Sequence, residues 1–69
     1  MKPRSSSSLE FDADTLRAAR HMIENHGARA GAAAEERALH LAQEGANEAA
    51  AVWTNIRRAI RELVETGRT

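Results

Sequence analysis

Apolar residues recur along this chain at the three- and four-residue intervals of α-helices, and no segment alternates apolar and polar residues as a strand would. Gly27 and Gly45 follow periodic segments at positions where a left-handed residue commonly ends a helix. No proline follows Pro3, and alanine, glutamate and arginine favour helix. The pattern therefore predicts an all-α protein. Its three predicted helices cover about residues 13–26, 28–44 and 48–66.

The first predicted helix has clear signals at both ends. Asp12 is a suitable N-cap residue, and Gly27 can end the helix as its C′ residue. Residues placed at 100° intervals give this helix one largely apolar side. That side carries Phe11, Thr15, Leu16, Ala19, Met22, Ile23 and His26.

The second predicted helix presents mainly methyl groups to its neighbours. Gly31 weakens its first turn, and Gly45 can stop it. Small side chains allow a neighbouring helix to approach toward the short end of the usual range of about 8–10 Å. Its apolar face carries Ala30, Ala34, Ala38, Leu41 and Ala42, with Leu39 at the flank.

The third predicted helix carries most of the bulky apolar residues. Asn47 can cap its start and Gly67 can end it. Its apolar residues fall within an arc of about 140° on the helical wheel, and part of the set has the four-and-three spacing of a helix packed along others. The arc comprises Ala49, Val52, Trp53, Ile56, Ala59, Ile60, Leu63 and Val64.

Short connections place sequential helices side by side and antiparallel. Two arrangements satisfy them: a small three-helix bundle, or a hairpin of the second and third helices with the first helix crossing it. We expect one helical domain over residues 9–69, preceded by a flexible, serine-rich tail over residues 1–8. The large apolar side chains are few for 69 residues, so self-association as a homodimer is a reasonable way to bury more surface.

Composition narrows the function further. The chain has no cysteine, which excludes disulfides and thiolate metal sites and fits a cytoplasmic location. Basic and acidic residues number 10 each, which argues against general electrostatic attraction to DNA or anionic membranes. No apolar run approaches the length of about 18 residues expected of a membrane span.

Residues that could carry chemistry do not form a recognisable catalytic or metal motif. The three histidines lack zinc-site spacing, and His40 with Glu36 or Glu44 forms only an i,i+4 pair typical of a solvated face. The neighbouring carboxylates Glu35 and Glu36, like Asp12 and Asp14, lie near predicted helix starts, where negative charge is favoured. We therefore expect no enzyme activity, no metal and no cofactor.

Trp53 and three arginines of the third helix are the candidate binding residues. Arg57, Arg58 and Arg61 form one stripe, and tryptophan and arginine are the residues that interface centres favour. A lone tryptophan of this kind is most often a core anchor, and Arg57, four residues later, can cover its ring. The leading hypothesis is a non-enzymatic protein-interaction module, a small regulator or inhibitor of a larger protein. The alternative is a nucleic-acid-binding module that uses the arginine stripe, which glutamates partly neutralise.

A set of residues over about positions 16–64 resembles a known pattern. It comprises His26-Gly27, Ala34, Arg37-Ala38, Leu41, Gly45, Trp53, Ile56, Ala59-Ile60 and Leu63. The set is similar to a group of short, uncharacterised, alanine-rich helical proteins of α-proteobacteria. The resemblance implies a helical, cytoplasmic protein of a bacterium or phage, and it brings no catalytic residues with it.

Overall fold

The computed structural model of the protein describes residues 11–67. Over that range it is all-helical without a strand, which confirms the predicted all-α class. The predicted serine-rich tail, residues 1–8, lies outside the described residues. The elements are α1 (Ala13–His26), a 3-10 turn (Gly27–Arg29), α2 (Ala30–Gln43) and α3 (Asn47–Gly67).

Helix α1 begins and ends as its sequence predicts. The Oδ1 atom of Asp12 accepts a hydrogen bond from the backbone N–H of Thr15 at 2.8 Å, so Asp12 is the N-cap. Hydrogen bonds from the side chain and backbone of Thr15 hold the pKa of the Asp12 carboxyl below its ordinary value. At the other end Gly27 has a φ of 59° and donates its N–H to the carbonyl of Ile23.

Helix α2 starts two residues later than predicted. The sequence predicts a start at residue 28, whereas the chain first makes a 3-10 turn, and Ala30 donates its N–H to the carbonyl of Gly27. Arg29, which precedes α2, provides no side-chain cap. A start at Ala28 therefore had no local signal to support it, and an i→i+3 turn carries the chain from α1 into α2 instead.

A Schellman turn joins α2 to α3. Gly45 has a φ of 84°, which favours glycine. The N–H of Gly45 donates to the carbonyl of Ala42 at 3.0 Å, and the N–H of Ala46 donates to that of Leu41 at 2.9 Å. These two bonds satisfy carbonyls that the end of a helix otherwise leaves without partners. Gly45 thus ends the second helix as predicted.

The prediction that Asn47 caps α3 is wrong. Asn47 is the first residue of that helix, and its backbone N–H donates to the carbonyl of Gly45 at 2.9 Å. Ala46 precedes the helix and accepts from the N–H of Ala50. The Schellman turn therefore leads directly into α3, so a side-chain cap at Asn47 has no place in the turn.

Helices α2 and α3 form the most extensive contact, and α1 packs mainly on α3. The two ends of the α2–α3 pair establish an antiparallel arrangement. At one end Ala42 and Ala50 line the same groove, and at the other Ala28 and Val64 line a second groove. The antiparallel prediction for these two helices is therefore confirmed.

Among residues 11–67 the buried core is small and contains mostly alanine. It receives residues from all three helices, and its largest members are two isoleucines of α3. The core comprises Ala19, Ala30, Ala34, Ile56, Ala59 and Ile60. Half-buried side chains pack around it, namely Phe11, Leu16, Ala18, Met22, Ile23, Trp53 and Leu63. Methyl groups at the helix contacts allow the close approach that the alanine-rich sequence predicts.

Several residues assigned to apolar faces lie at the surface. Val52 is 52% exposed and Val64 is 44% exposed, although the helical wheel places both on the apolar arc of α3. Leu39 is 56% exposed, and His26 is exposed as well. Val64 lines a groove in which the facing residues include Ala28 and Gly31, which are too small to cover it. The burial expected of Val52 and Val64 is therefore wrong, whereas Leu39 is placed by the sequence only at the flank of its apolar face.

Replacing Ala59 by leucine tests the tight packing of α3. Ala59 is fully buried, so Ala59→Leu should lower the free energy of unfolding by about 1–3 kcal/mol because the neighbouring helices must move apart. Ala51→Leu is the matched control, since Ala51 lies on the same helix and is exposed. It should change stability by no more than about 0.5 kcal/mol. Urea unfolding followed by circular dichroism measures both, and equal effects would contradict the packing described.

Candidate protein-binding surface

The four residues predicted to bind a partner lie on α3 in two different environments. Trp53 is half-buried and packs against the core. Arg57 is half-buried, while Arg58 and Arg61 are exposed. The structure brings the three arginines into one groove. Trp53 is not among the residues that line it.

The ring of Trp53 is covered by an arginine from the neighbouring helix. The guanidinium carbon of Arg37, on α2, lies 5.4 Å from the centroid of the Trp53 ring. This is the distance of a cation–π interaction, which contributes about 0.5–1 kcal/mol at an exposed site. From the sequence, Arg57 is the expected cover of the Trp53 ring, because it lies four residues later on the same helix and that spacing can be read directly. The register between α2 and α3, which places Arg37 against the ring, cannot be read from the sequence in this way.

The groove that contains the three arginines has mixed charge. Nε of Arg61 lies 3.5 Å from Oε2 of Glu65, and both side chains are largely exposed. An exposed pair of this kind contributes little to stability, but it offsets part of the positive charge. The groove is lined by Phe11, Arg57, Arg58, Arg61, Glu62 and Glu65.

A second surface lies along the antiparallel α2–α3 pair, and we call it the α2–α3 face. Two adjoining grooves form it. One is lined by Glu35, Ala38, Leu39, Ala42, Ala50, Thr54 and Arg57. The other is lined by Ala28, Gly31, Glu35, Arg57, Ile60, Arg61, Val64 and Glu65. Small residues predominate in the first groove, so a docking helix could approach the backbone there closely.

Leu39 and Val64 are the large apolar side chains that the α2–α3 face leaves at the surface. Leu39 lies in one groove and Val64 in the other. Their exposed fractions, 56% and 44%, leave a substantial apolar area in water. Because both side chains are already partly buried, burying the rest of each contributes about half of the ~1.5–3 kcal/mol gained by a fully exposed aliphatic side chain.

Glu35 and Arg57 mark the junction of the two grooves, because both residues line both. Glu35 is exposed and Arg57 is half-buried. Among residues 11–67, neither side chain takes part in an ion pair within 4.0 Å. The middle of the α2–α3 face therefore carries one acidic and one basic group whose charges are not neutralised by direct partners.

Sequence reasoning identified Arg57 and Arg61 but missed Leu39, Val64 and Glu35 as parts of a surface. The position of Leu39 at the flank of the apolar face of α2 was the one available signal. Glu35 gives none, because in the sequence it is one of two adjacent carboxylates, Glu35 and Glu36. The structure separates the two: Glu35 lies on the α2–α3 face, and Glu36 lines a different groove on the outer side of α2.

The remaining polar candidates make local contacts. His40 Nε2 lies 3.0 Å from Glu44 Oε2, which selects Glu44 from the two expected partners. Asp14 forms an ion pair with Arg17 at 3.1 Å. No group of three or more histidine, aspartate or glutamate side chains within the described range is arranged to hold a metal ion.

Within residues 11–67, no helix combines the length and the apolar character needed to cross a membrane. Comparisons with family models, curated proteins and solved structures give no match to this chain. The resemblance to short α-proteobacterial proteins therefore stays a prediction.

Proposed function

We propose that this chain is a non-enzymatic protein-interaction module that docks a helical face onto another protein chain. The observation that carries the proposal is the exposure of Leu39 and Val64 on the α2–α3 face. Leu39 and Val64 lie in adjoining grooves that polar residues also line, and burial of exposed apolar side chains favours association with another chain. A small regulator or inhibitor is the form of this function that the size and neutral charge of the chain favour.

The small core supports a role in binding. Six residues of the described range form it, four of which are alanine, so much of the chain's larger apolar surface is only half-buried. A partner that covers Leu39 and Val64 removes from water the apolar area that the fold itself leaves exposed. Docking of an amphipathic helix against such a face is a common mode of recognition.

The proposal includes an architecture and a location. We infer a three-helix bundle in which the α2–α3 hairpin provides the binding face and α1 covers much of the other side. Contacts between every pair of the three helices support this arrangement. We also infer a cytoplasmic location, which the absence of cysteine supports.

Site-specific photo-crosslinking in the native host tests the proposed function. A photo-reactive phenylalanine analogue placed at Leu39 or Val64 should give discrete protein adducts, because these side chains contact the partner. Glu24 is the control position, since it is exposed on α1 and does not line the α2–α3 face. Electrophoresis and mass spectrometry identify the adducts. If neither position 39 nor position 64 gives adducts above the level at position 24, the proposal is wrong.

Nucleic-acid binding is the second candidate function. The grouping of Arg57, Arg58 and Arg61 in one groove beside Phe11 favours it, because guanidinium groups bind phosphates and aromatic rings stack on bases. Glu62 and Glu65 line the same groove, and their carboxylates oppose the approach of phosphates. The protein-interaction module therefore remains the leading proposal.

Replacing Arg61 by alanine tests the second candidate. If the groove binds duplex DNA, Arg61→Ala should weaken binding to a similar degree for every sequence and reduce the dependence of affinity on salt. Arg17→Ala, an exposed residue of α1, is the matched control. Fluorescence anisotropy at low salt measures the affinity. Absence of binding by the unmodified chain would exclude this function, as would equal effects of the two substitutions.

A further inference from the structure

We infer that the α2–α3 face binds a second copy of this chain, and that Glu35 of each copy pairs with Arg57 of the other. The inference rests on the proposed function and names the partner of the same surface. It follows from the position of these two charges, the antiparallel direction of the helices and the two exposed apolar side chains.

The face is complementary to itself in charge. Glu35 and Arg57 lie at the same level along the helices, at the junction of the two grooves. One belongs to α2 and the other to α3. Neither has an ion-pair partner among the described residues. A partner that presents a basic group opposite Glu35 and an acidic group opposite Arg57 would match this surface, and a second copy presents both.

A particular two-fold axis produces that match. An axis that lies in the plane of the face, between α2 and α3 and parallel to them, places α2 of one copy over α3 of the other. Rotation about this axis leaves each residue at the same height along the helix direction. Glu35 of each copy therefore faces Arg57 of the other, which gives two equivalent ion pairs. Each helix then has only antiparallel neighbours across the interface, as in an antiparallel four-helix bundle. Symmetric pairing of one surface with itself is the commonest form of homodimer.

The other in-plane axis, perpendicular to the helices, is disfavoured by charge. At the same level it would place Glu35 against Glu35 and Arg57 against Arg57. Like charges held together at an interface oppose association strongly. The charges therefore select the axis parallel to the helices.

Apolar burial supplies the attraction. In the selected arrangement Leu39 faces the part of α3 near Thr54 of the other copy, because the two residues share a groove and hence a level. Val64 likewise faces Ala28 of the 3-10 turn and Gly31 at the start of α2. Ala28, Ala42 and Ala50 offer little steric obstacle in these grooves. The interface would consist of α2 and α3 from both copies. Its centre would lie at the first half of α2 and the middle of α3.

Charge reversal tests the pairing. Sedimentation equilibrium of the full chain over a micromolar concentration series should show a species of twice the 7.5 kDa chain mass. Glu35→Arg and Arg57→Glu should each raise the dissociation constant at least about tenfold, because each places like charges together twice. The double variant should have a dissociation constant within a few-fold of that of the unmodified chain, because opposite charges again face each other with their positions exchanged. Glu36→Arg is the matched control and should leave the dissociation constant unchanged.

Mixing the two single variants guards against loss of folding. If both are folded, the mixture should form a heterodimer in which every pair has opposite charge, and circular dichroism reports the helicity of each. A monomer at every concentration would overturn the inference. So would single variants that dimerise normally, or a double variant that does not recover. If the dimer inference fails in one of these ways, photo-crosslinked adducts from position 39 to a different protein would still support the proposed function. If no adduct forms, both the dimer inference and the proposed function are wrong.

Discussion

Close packing of alanine methyl groups between the helices is the constraint on which this structure depends. Ala19 of α1, Ala34 of α2 and Ala59 of α3 are each fully buried, so the three helices meet where their side chains are smallest. Helices with such surfaces can approach at the short end of the usual interaxial range. Two isoleucines, Ile56 and Ile60, provide the larger buried side chains.

This packing limits what the core can hold. Alanine contributes little apolar area, and no large side chain of the described residues is completely buried. The bulkier residues surround the core in half-buried positions, while Leu39, Val52 and Val64 lie at the surface. A small domain with a core of this kind commonly gains stability from an additional interaction. The physical basis of the fold is thus also the reason to expect a partner.

Local signals in the sequence predicted most of the fold. Asp12 and Gly27 mark the ends of α1, and Gly45 the end of α2, because caps and left-handed turns depend on one or two residues. The cap predicted at Asn47 was wrong, because the backbone N–H groups of Gly45 and Ala46 make the hydrogen bonds of the preceding turn. The 3-10 turn that begins at Gly27 has no distinct sequence signature.

The candidate surface was only partly predictable. The arginine stripe of α3 was visible because i,i+4 neighbours on one helix follow from spacing alone. The contact of Arg37 with Trp53 and the shared position of Glu35 and Arg57 were not, since both depend on how α2 and α3 align. The three-residue turn and the choice of methyl groups that pack together determine that alignment. The spacing of apolar residues along each helix specifies neither.

Methyl-group nuclear Overhauser spectroscopy tests the packing most directly. In a sample with labelled alanine and isoleucine methyl groups, we expect cross-peaks that connect Ala19 and Ala34 to Ile56 or Ile60. These would place α1 and α2 against α3 through their smallest side chains. Helicity retained without any such cross-peak between helices would contradict the alanine-packed core.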